Sequence, residues 1–225
     1  MRSEFETELQ NLHVRFSEMG MMVNEAIKKA VMALINHDPK LAQQVIHNDQ
    51  RINNREMDLE KKSFEMIALQ QPVSSDLRMI VTVLKASSDL ERMGDHAVSI
   101  AHSALQLQGK PTIEAVEKLI QQVYEKVEAM FGQAINAYLQ EDAQAATKIA
   151  QRDLEIDQLI KQIERLCVEK MKTDSKMVEV GTIYVSVANY LERMGDYVTN
   201  LCEWVVYLKR GKLAELNVKK TKPNV

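Results

Sequence analysis

Aromatic side chains are scarce in this chain, at 5% of 225 residues, and there are only 7 glycines and 4 prolines. So few turn formers and strand-favouring residues exclude a sandwich or barrel of many short strands. No apolar run approaches the roughly 18 residues of a membrane-spanning helix. The opening segment from Met1 to Glu8 is charged where a secretory leader would be apolar, so no signal peptide is expected. Two cysteines, Cys167 and Cys202, are too few for a disulfide framework. Both fall on apolar helical positions and read as reduced core thiols of a cytosolic protein. A formal charge of −3 and the lack of a basic patch interleaved with aromatics exclude nucleic acid as a partner. The short basic run Lys219, Lys220 and Lys222 reads as a solvated end. There is no glycine-rich phosphate loop, nucleophile elbow or Cys/His metal pattern. None of the five histidines follows a Glu by three residues, which argues against a ferritin-like di-iron oxidase.

What the chain does contain is a duplication. Leu-Glu-Arg-Met-Gly-Asp occurs at Leu90 to Asp95 and again at Leu191 to Asp196. Around it lie matching apolar seams. Leu12, Phe16, Met19, Val23, Ala26, Ala30 and Ala33 alternate steps of four and three, as do Val116, Ile120, Val123, Val127, Met130, Ala134 and Ala137. That spacing is the buried stripe of a long amphipathic helix. Second-helix seams follow as Val45, Asp49, Ile52, Glu56, Leu59 and as Ile149, Asp153, Ile156, Ile160, Ile163. Asp38 before Pro39, and Asp142 before Ala143, read as N-caps. The third helices open after Gln71-Pro72, with Ser74-Ser75 as cap, and after Thr173-Asp174-Ser175. The offset between copies falls from 104 to 101 residues there, which predicts a turn three residues shorter in the second copy. Gly109 and Gly211 read as glycines closing the third helices. The expected fold is all-α, with six long antiparallel helices in two tandem three-helix bundles. The first bundle is assigned to residues 1–110 and the second to 111–213, followed by a basic tail at 214–225.

The repeats carry acids at helical spacing. Glu91 with Asp95, and Glu192 with Asp196, stand four residues apart and so share a helix face. The third-helix seam Leu77, Ile80, Leu84, Ser87, Glu91, Gly94, Val98, Ala101, Leu105 places Glu91 inside the apolar stripe. A carboxylate there costs several kcal/mol unless it is paired. The second helices add Asp153 and Asp157 in one copy and Asp49 and Asn53 in the other. If the second and third helices are neighbours, each copy gathers an all-oxygen cluster. Such clusters suit hard cations (Mg, Mn, Ca) and iron. The bland alternative is ion pairing of the acids with Arg78, Arg51 or Arg152, or exposure at the edge of the seam. His96 after the first motif, replaced by Tyr197 after the second, needs no function. The 13 methionines and Trp204 read as core packing.

These residues resemble the PhoU family of phosphate-transport regulatory proteins. Asp76-Leu77-Arg78, Leu84-Lys85 and Asp89 to His96 fit the family's third-helix pattern. Leu191 to Asp196, Thr199 and Asn200 fit it in the second copy, with Tyr197 where the family often has His. The resemblance covers essentially the whole chain. It implies a symmetric pair of three-helix bundles whose Glu/Asp-x-x-x-Asp motifs bind multinuclear iron or zinc, with Mg or Mn also compatible. The implied ligands are Asp153, Asp157, Glu192 and Asp196 in one half, and Asp49, Asn53, Glu91 and Asp95 in the other. Neutral Asn53 makes the first site the weaker expectation. The resemblance further implies a nonenzymatic, cytoplasmic adaptor, peripheral to the membrane and compatible with a homodimer. It would negatively regulate phosphate uptake and the phosphate regulon, linking the ATPase of a phosphate ABC transporter to a sensor histidine kinase. The competing readings are a carboxylate-bridged multinuclear metalloenzyme and a metal-free helical scaffold or chaperone.

Overall fold

Apolar residues three and four apart along nearly the whole chain give helices in a computed structural model that describes residues 2–216. The basic run at Lys219, Lys220 and Lys222 lies outside the described residues. The helices are α1 (Arg2–Ile35), α2 (Pro39–Gln70), α3 (Ser74–Gln106), α4 (Glu114–Leu139), α5 (Ala143–Ala150), α6 (Asp153–Thr173) and α7 (Met177–Arg210). They form six rods, because α5 and α6 together correspond to the single helix α2. The interruption is a tightening of the turn. Gln151 and Arg152 stay right-handed helical, but Arg152 N–H bonds to Ile149 O and Glu155 N–H to Arg152 O, both three residues back. Such bonds tighten the helix locally and end one regular run. Asp153 therefore begins a helix, whereas its counterpart Asp49 sits inside one.

The caps are mixed. Asp38 accepts from Lys40 and Leu41 N–H with Pro39 in the first turn, and Asp142 accepts from Gln144 and Ala145 N–H. Both satisfy helix N–H groups that have no partner within the helix. Gly211 closes α7 at φ 70°. The Ser74-Ser75 assignment fails: Val73 is the N-cap of α3, with no side-chain hydrogen bond, and Ser74 has φ 52°. Gly109 does not close α3 directly, since Leu107 is its C-cap and Gly109 lies in the turn beyond, at φ 70°. The turn between second and third helices is not shorter in the second copy either. Residues 71–73 and 174–176 connect equally; the missing residues come off the end of α6 and the start of α7. A three-residue link already sits at the short end for antiparallel helices, so the deletion shortens the rods.

The seams of α1 and α4 are buried nearly as read, Ala26 being partly covered. One continuous apolar cluster runs through both copies. Its centre is the antiparallel pair α3 and α7. Arg78 Nε donates to Leu208 O at 3.1 Å near one end, and His96 stacks on Tyr190 and Tyr197 near the middle. α1 packs on α4 beside them. Polar bridges cross between the copies there. Buried Glu117, which accepts from the Tyr184 hydroxyl of its own copy at 2.5 Å, lies 3.4 Å from His37 Nε2 of the other. His13 Nδ1 and the Tyr138 hydroxyl share a 3.0 Å hydrogen bond.

Being central, α3 packs against α1, α2 and α7. Its buried face is therefore broader than one stripe and is centred on Ile80, Val83, Ala86, Leu90, Met93, Ala97 and Ile100. Glu91, expected inside the seam, lies half-buried on its flank.

Candidate functional site

The glycine of the repeated motif sets the distance between each third helix and the second helix beside it. A Cβ on Gly94 would stand 3.3 Å from two Ile52 carbons and 3.6 Å from Asp49 Oδ1. A Cβ on Gly195 would stand 2.5 Å from Asp153 Oδ1 and 3.2 Å from Ile156 Cδ1. Lacking a side chain, each glycine admits an aspartate from the neighbouring helix against its own backbone, next to the Asp of its motif. That is how sequence-distant acids converge.

In the first copy the structure gathers Asp49, Asn53, Glu91 and Asp95, and adds Glu56. Asn53 Nδ2 donates to Asp49 Oδ2 at 3.1 Å. Asp49 Oδ1 and Asn53 Oδ1 are buried without a hydrogen-bond partner. Burial raises the pKa of Glu91, and the nearby negative charges of Asp95, Glu56 and Asp49 raise it further, against a smaller opposing effect of Arg92. Burial also raises Asp49, against the Asn53 hydrogen bond and with help from Asp95. Glu56 is raised by burial and by Glu60. A cluster of carboxylates pushed toward protonation, with orphaned oxygens inside it, is short of positive charge. Its all-oxygen donor set fits a hard cation. As the side chains stand, no group of three or more His, Cys, Asp or Glu among the described residues is arranged to hold one ion. Ligation therefore requires rotamer changes.

In the second copy Asp153 is 6% exposed and lies against Gly195, with half-buried Asp157 one turn further along α6. Half-buried Glu192 and Asp196 line a depression on α7 with Ser186, Asn189, Tyr190 and Arg193. The counterpart of Glu56 here is Ile160, 3% exposed. Of the arginines offered as ion-pair partners, Arg78 donates to Leu208 O and Arg152 Nη1 donates to Gln133 Oε1 at 2.8 Å, while exposed Arg51 lines a depression with Glu25, Asp49 and Gly94.

Two residues escaped the sequence reading. Glu56 stood in the second-helix seam but was not assigned to the site; its place one turn beyond Ile52 on the Asp49 face, with Glu60 four residues further on, was the available signal. Asp89 is the other. It lies between α3 and α7, accepting hydrogen bonds from Asn200 and Trp204, and burial pushes its carboxyl up to about 6. No periodicity marks a contact between copies. His96 is held by ring stacking on Tyr190 at 5.5 Å and Tyr197 at 5.8 Å, and burial lowers its pKa. Cys167 and Cys202 are free thiols buried in the core. No described helix is long and apolar enough to cross a membrane.

Comparison with known proteins matches these features from end to end. The PhoU domain model matches twice, at residues 16–104 and 120–205. The phosphate-specific transport system accessory protein PhoU homolog of Streptococcus pneumoniae serotype 4 is 36% identical, over 96% of this chain and all of that protein. PhoU homolog 1 of Thermotoga maritima is 34% identical, over 92% of this chain and 90% of that protein. The crystal structure of the phosphate transport system regulatory protein PhoU from Streptococcus pneumoniae superposes with a TM-score of 0.88 at 34% identity, covering 94% of this chain and 99% of the other. That of PhoU from Pseudomonas aeruginosa gives 0.88 at 33%, covering 92% and 100%.

Proposed function

This chain belongs to the PhoU family, and from that premise we propose that it is a regulatory adaptor of phosphate transport that restrains phosphate uptake and phosphate-regulon signalling. The end-to-end match, covering both copies, carries this reading. Its partners would be the ATPase of a phosphate ABC transporter and a sensor histidine kinase, met in the cytoplasm at the membrane surface. Two long bundles sharing one continuous apolar core suit an adaptor role.

We further propose that the acid clusters bind metal ions. Asp49, Glu56, Glu91 and Asp95, with the Asn53 amide oxygen, would hold one set; Asp153, Asp157, Glu192 and Asp196 would hold the other. A bound cation would supply the positive charge that offsets carboxylate repulsion and ties α2 to α3 and α6 to α7. The chain's own part is to bring the oxygens together through the two motif glycines. The orphaned Asp49 Oδ1 supports this reading. We read the protein as a nonenzymatic binder, in keeping with the regulatory and accessory names of its relatives.

The test has two arms. Deleting the gene should derepress phosphate-starvation genes and raise phosphate uptake in phosphate-rich medium, and unchanged expression and uptake would sink the regulatory reading. Elemental analysis of protein purified without chelators should find stoichiometric metal, of which the share held by the second cluster is lost in Glu192→Gln/Asp196→Asn. Metal-free protein that also fails to bind added Mn2+ would sink the metal reading alone. Phosphoester turnover dependent on Asp153 and Asp196 would overturn the nonenzymatic assignment.

A further inference from the structure

The antiparallel seam of α1 against α4 is closed at each end by a histidine of the first copy. Near the start of α1, half-buried His13 shares its 3.0 Å hydrogen bond with the Tyr138 hydroxyl, which lies 3.7 Å from Met79 Sδ. Just past the end of α1, His37 Nε2 stands 3.4 Å from Glu117 Oε1 at the start of α4. At the 104-residue offset that relates the two helices, Glu117 is the counterpart of His13, and Glu141 that of His37. Glu141 is near enough to His13 to act on its charge. The two ends are therefore one His–Glu relationship made twice, with the residue types exchanged between copies. His37 and Glu141 also share a backbone. They sit at φ 52° and φ 49°, in the left-handed region that few residues other than glycine occupy. Asp38 N–H then reaches back to Ala33 O at 2.9 Å, and Asp142 N–H to Ala137 O at 2.8 Å. Glycine would serve both turns with less strain, yet each turn carries the residue that meets the other copy.

The exchange makes the ends respond differently to protons. Glu117 faces His37 from α4, and Tyr184 of α7 and Cys167 of α6 stand behind that carboxylate. Burial pushes the Cys167 thiol up to about 11 and, with Glu117, raises Tyr184, so neither changes charge near neutrality. Protonating His37 turns its contact with the enclosed Glu117 carboxylate into an ion pair. At the other end Tyr138 and Glu141 face His13 from the end of α4, α3 presents Met79, and Lys209 Nζ of α7 lies 3.5 Å from Glu141 Oε2. Burial lowers the His13 pKa and outweighs the raising effect of Glu141, so folding favours neutral His13. That contribution is complete above the reference value of 6.5 and is lost as pH falls below it. A protonated His13 must donate from Nδ1, which turns the Tyr138 proton toward Met79 Sδ, a weak acceptor.

We propose that these contacts form a two-ended, proton-sensitive latch between the copies. Acidification tightens the His37–Glu117 end and loosens the His13–Tyr138 end, and alkaline pH reverses the preference. The seam between the copies thus stays closed across neutral pH while the end that holds it most firmly changes.

Amide hydrogen exchange of the full chain at pH 8 and pH 5.5, corrected for intrinsic rates and referred to amides in the middle of α3, tests the latch. Toward pH 5.5, protection at residues 118–121 should rise and protection at residues 138–141 should fall. Each change should be about two- to fivefold, as for interactions of partly exposed charges. His37→Gln, at an exposed position, should abolish the rise and keep the fall. Glu117→Gln, which leaves an oxygen for the Tyr184 hydroxyl, should do the same. His13→Gln, whose amide can still pair with Tyr138, should abolish the fall and keep the rise. Protection that is equal at the two pH values, that changes with the same sign at both ends, or that keeps its full pH response in all three variants overturns the proposal.

Discussion

Asp49 and Asp153 are equivalent residues in different surroundings. Asp49 sits mid-helix, half-buried, bonded to the Asn53 amide, with Glu56 on the same face. Asp153 opens α6 and is nearly enclosed against Gly195, with Asp157 and Ile160 where the first copy has Asn53 and Glu56. The shared glycine brings two helices close in both copies, while their neighbours decide how much charge is enclosed and how tightly. The first copy exchanges one acid for an amide and gains another a turn away. By count of carboxylates the halves are thus more alike than the Asn53 substitution alone suggests. By packing they are less alike.

The largest expected effect comes from a third asymmetry, nearly two turns before Asp95 along α3. Asp89 is a half-buried carboxylate, while its counterpart Tyr190 is uncharged and stacks on His96. With its folded pKa near 6 and a reference value of 3.8, Asp89 stays protonated in the folded chain where the unfolded chain has already ionised. Its contribution to stability is therefore fully present below pH 4 and is lost as pH rises through 6. At neutral pH the deficit is about 3 kcal/mol. Asp89→Asn should raise the urea-unfolding free energy at pH 7.5 by up to about 3 kcal/mol and leave it nearly unchanged at pH 4. An equal change at both pH values would break the assignment of the asymmetry to charge.

Next in size are the glycines. Alanine at Gly195 forces a methyl to 2.5 Å from a nearly enclosed carboxylate oxygen. Overpacking costs about 1–3 kcal/mol, against about 1 kcal/mol gained in helix propensity. Gly195→Ala should therefore be destabilised by up to about 2 kcal/mol net. Alanine at Gly94 meets movable Ile52 carbons at 3.3 Å, so the propensity gain should leave it within about 0.5 kcal/mol of the parent. Thermal unfolding of both variants in one buffer checks this, and equal losses would erase the packing difference between copies.

The smallest effect tests whether Glu56 belongs to the first cluster. Glu56→Gln removes one of the negative charges that raise Glu91. The carboxyl titration of Glu91, followed by NMR, should move down toward its ordinary range, by less than about 1 kcal/mol of interaction. An unmoved Glu91 would return the first copy to the Asp49, Asn53, Glu91 and Asp95 set read from its motifs.

Much of the architecture was legible in the chain. The buried stripes of α1 and α4 could be read almost residue by residue, since each follows its own 3.6-residue period. The Asp38 and Asp142 caps were legible because a cap contacts atoms only two or three residues away. The α3 stripe was misjudged because that helix has neighbours on three sides, and a count of neighbours is absent from periodicity. The tightened turn before Asp153 and the failed serine cap at Ser74 are element boundaries, where small local preferences yield to packing. Glu56 and Asp89 were missed because each acquires its meaning from a facing helix.

The sequence by itself determined the helices, their duplication and the sharing of one face by Glu91 with Asp95 and by Glu192 with Asp196, all properties that repeat along a single axis. Tertiary structure alone decided that Asp153 lies against Gly195, that Glu56 joins Glu91 and that Leu216 bonds to Glu203. It also decided that α3 and α7 make one core of two bundles. Those facts depend on how far apart helices lie and how they rotate about their axes, and both are set by side chains meeting from distant parts of the chain.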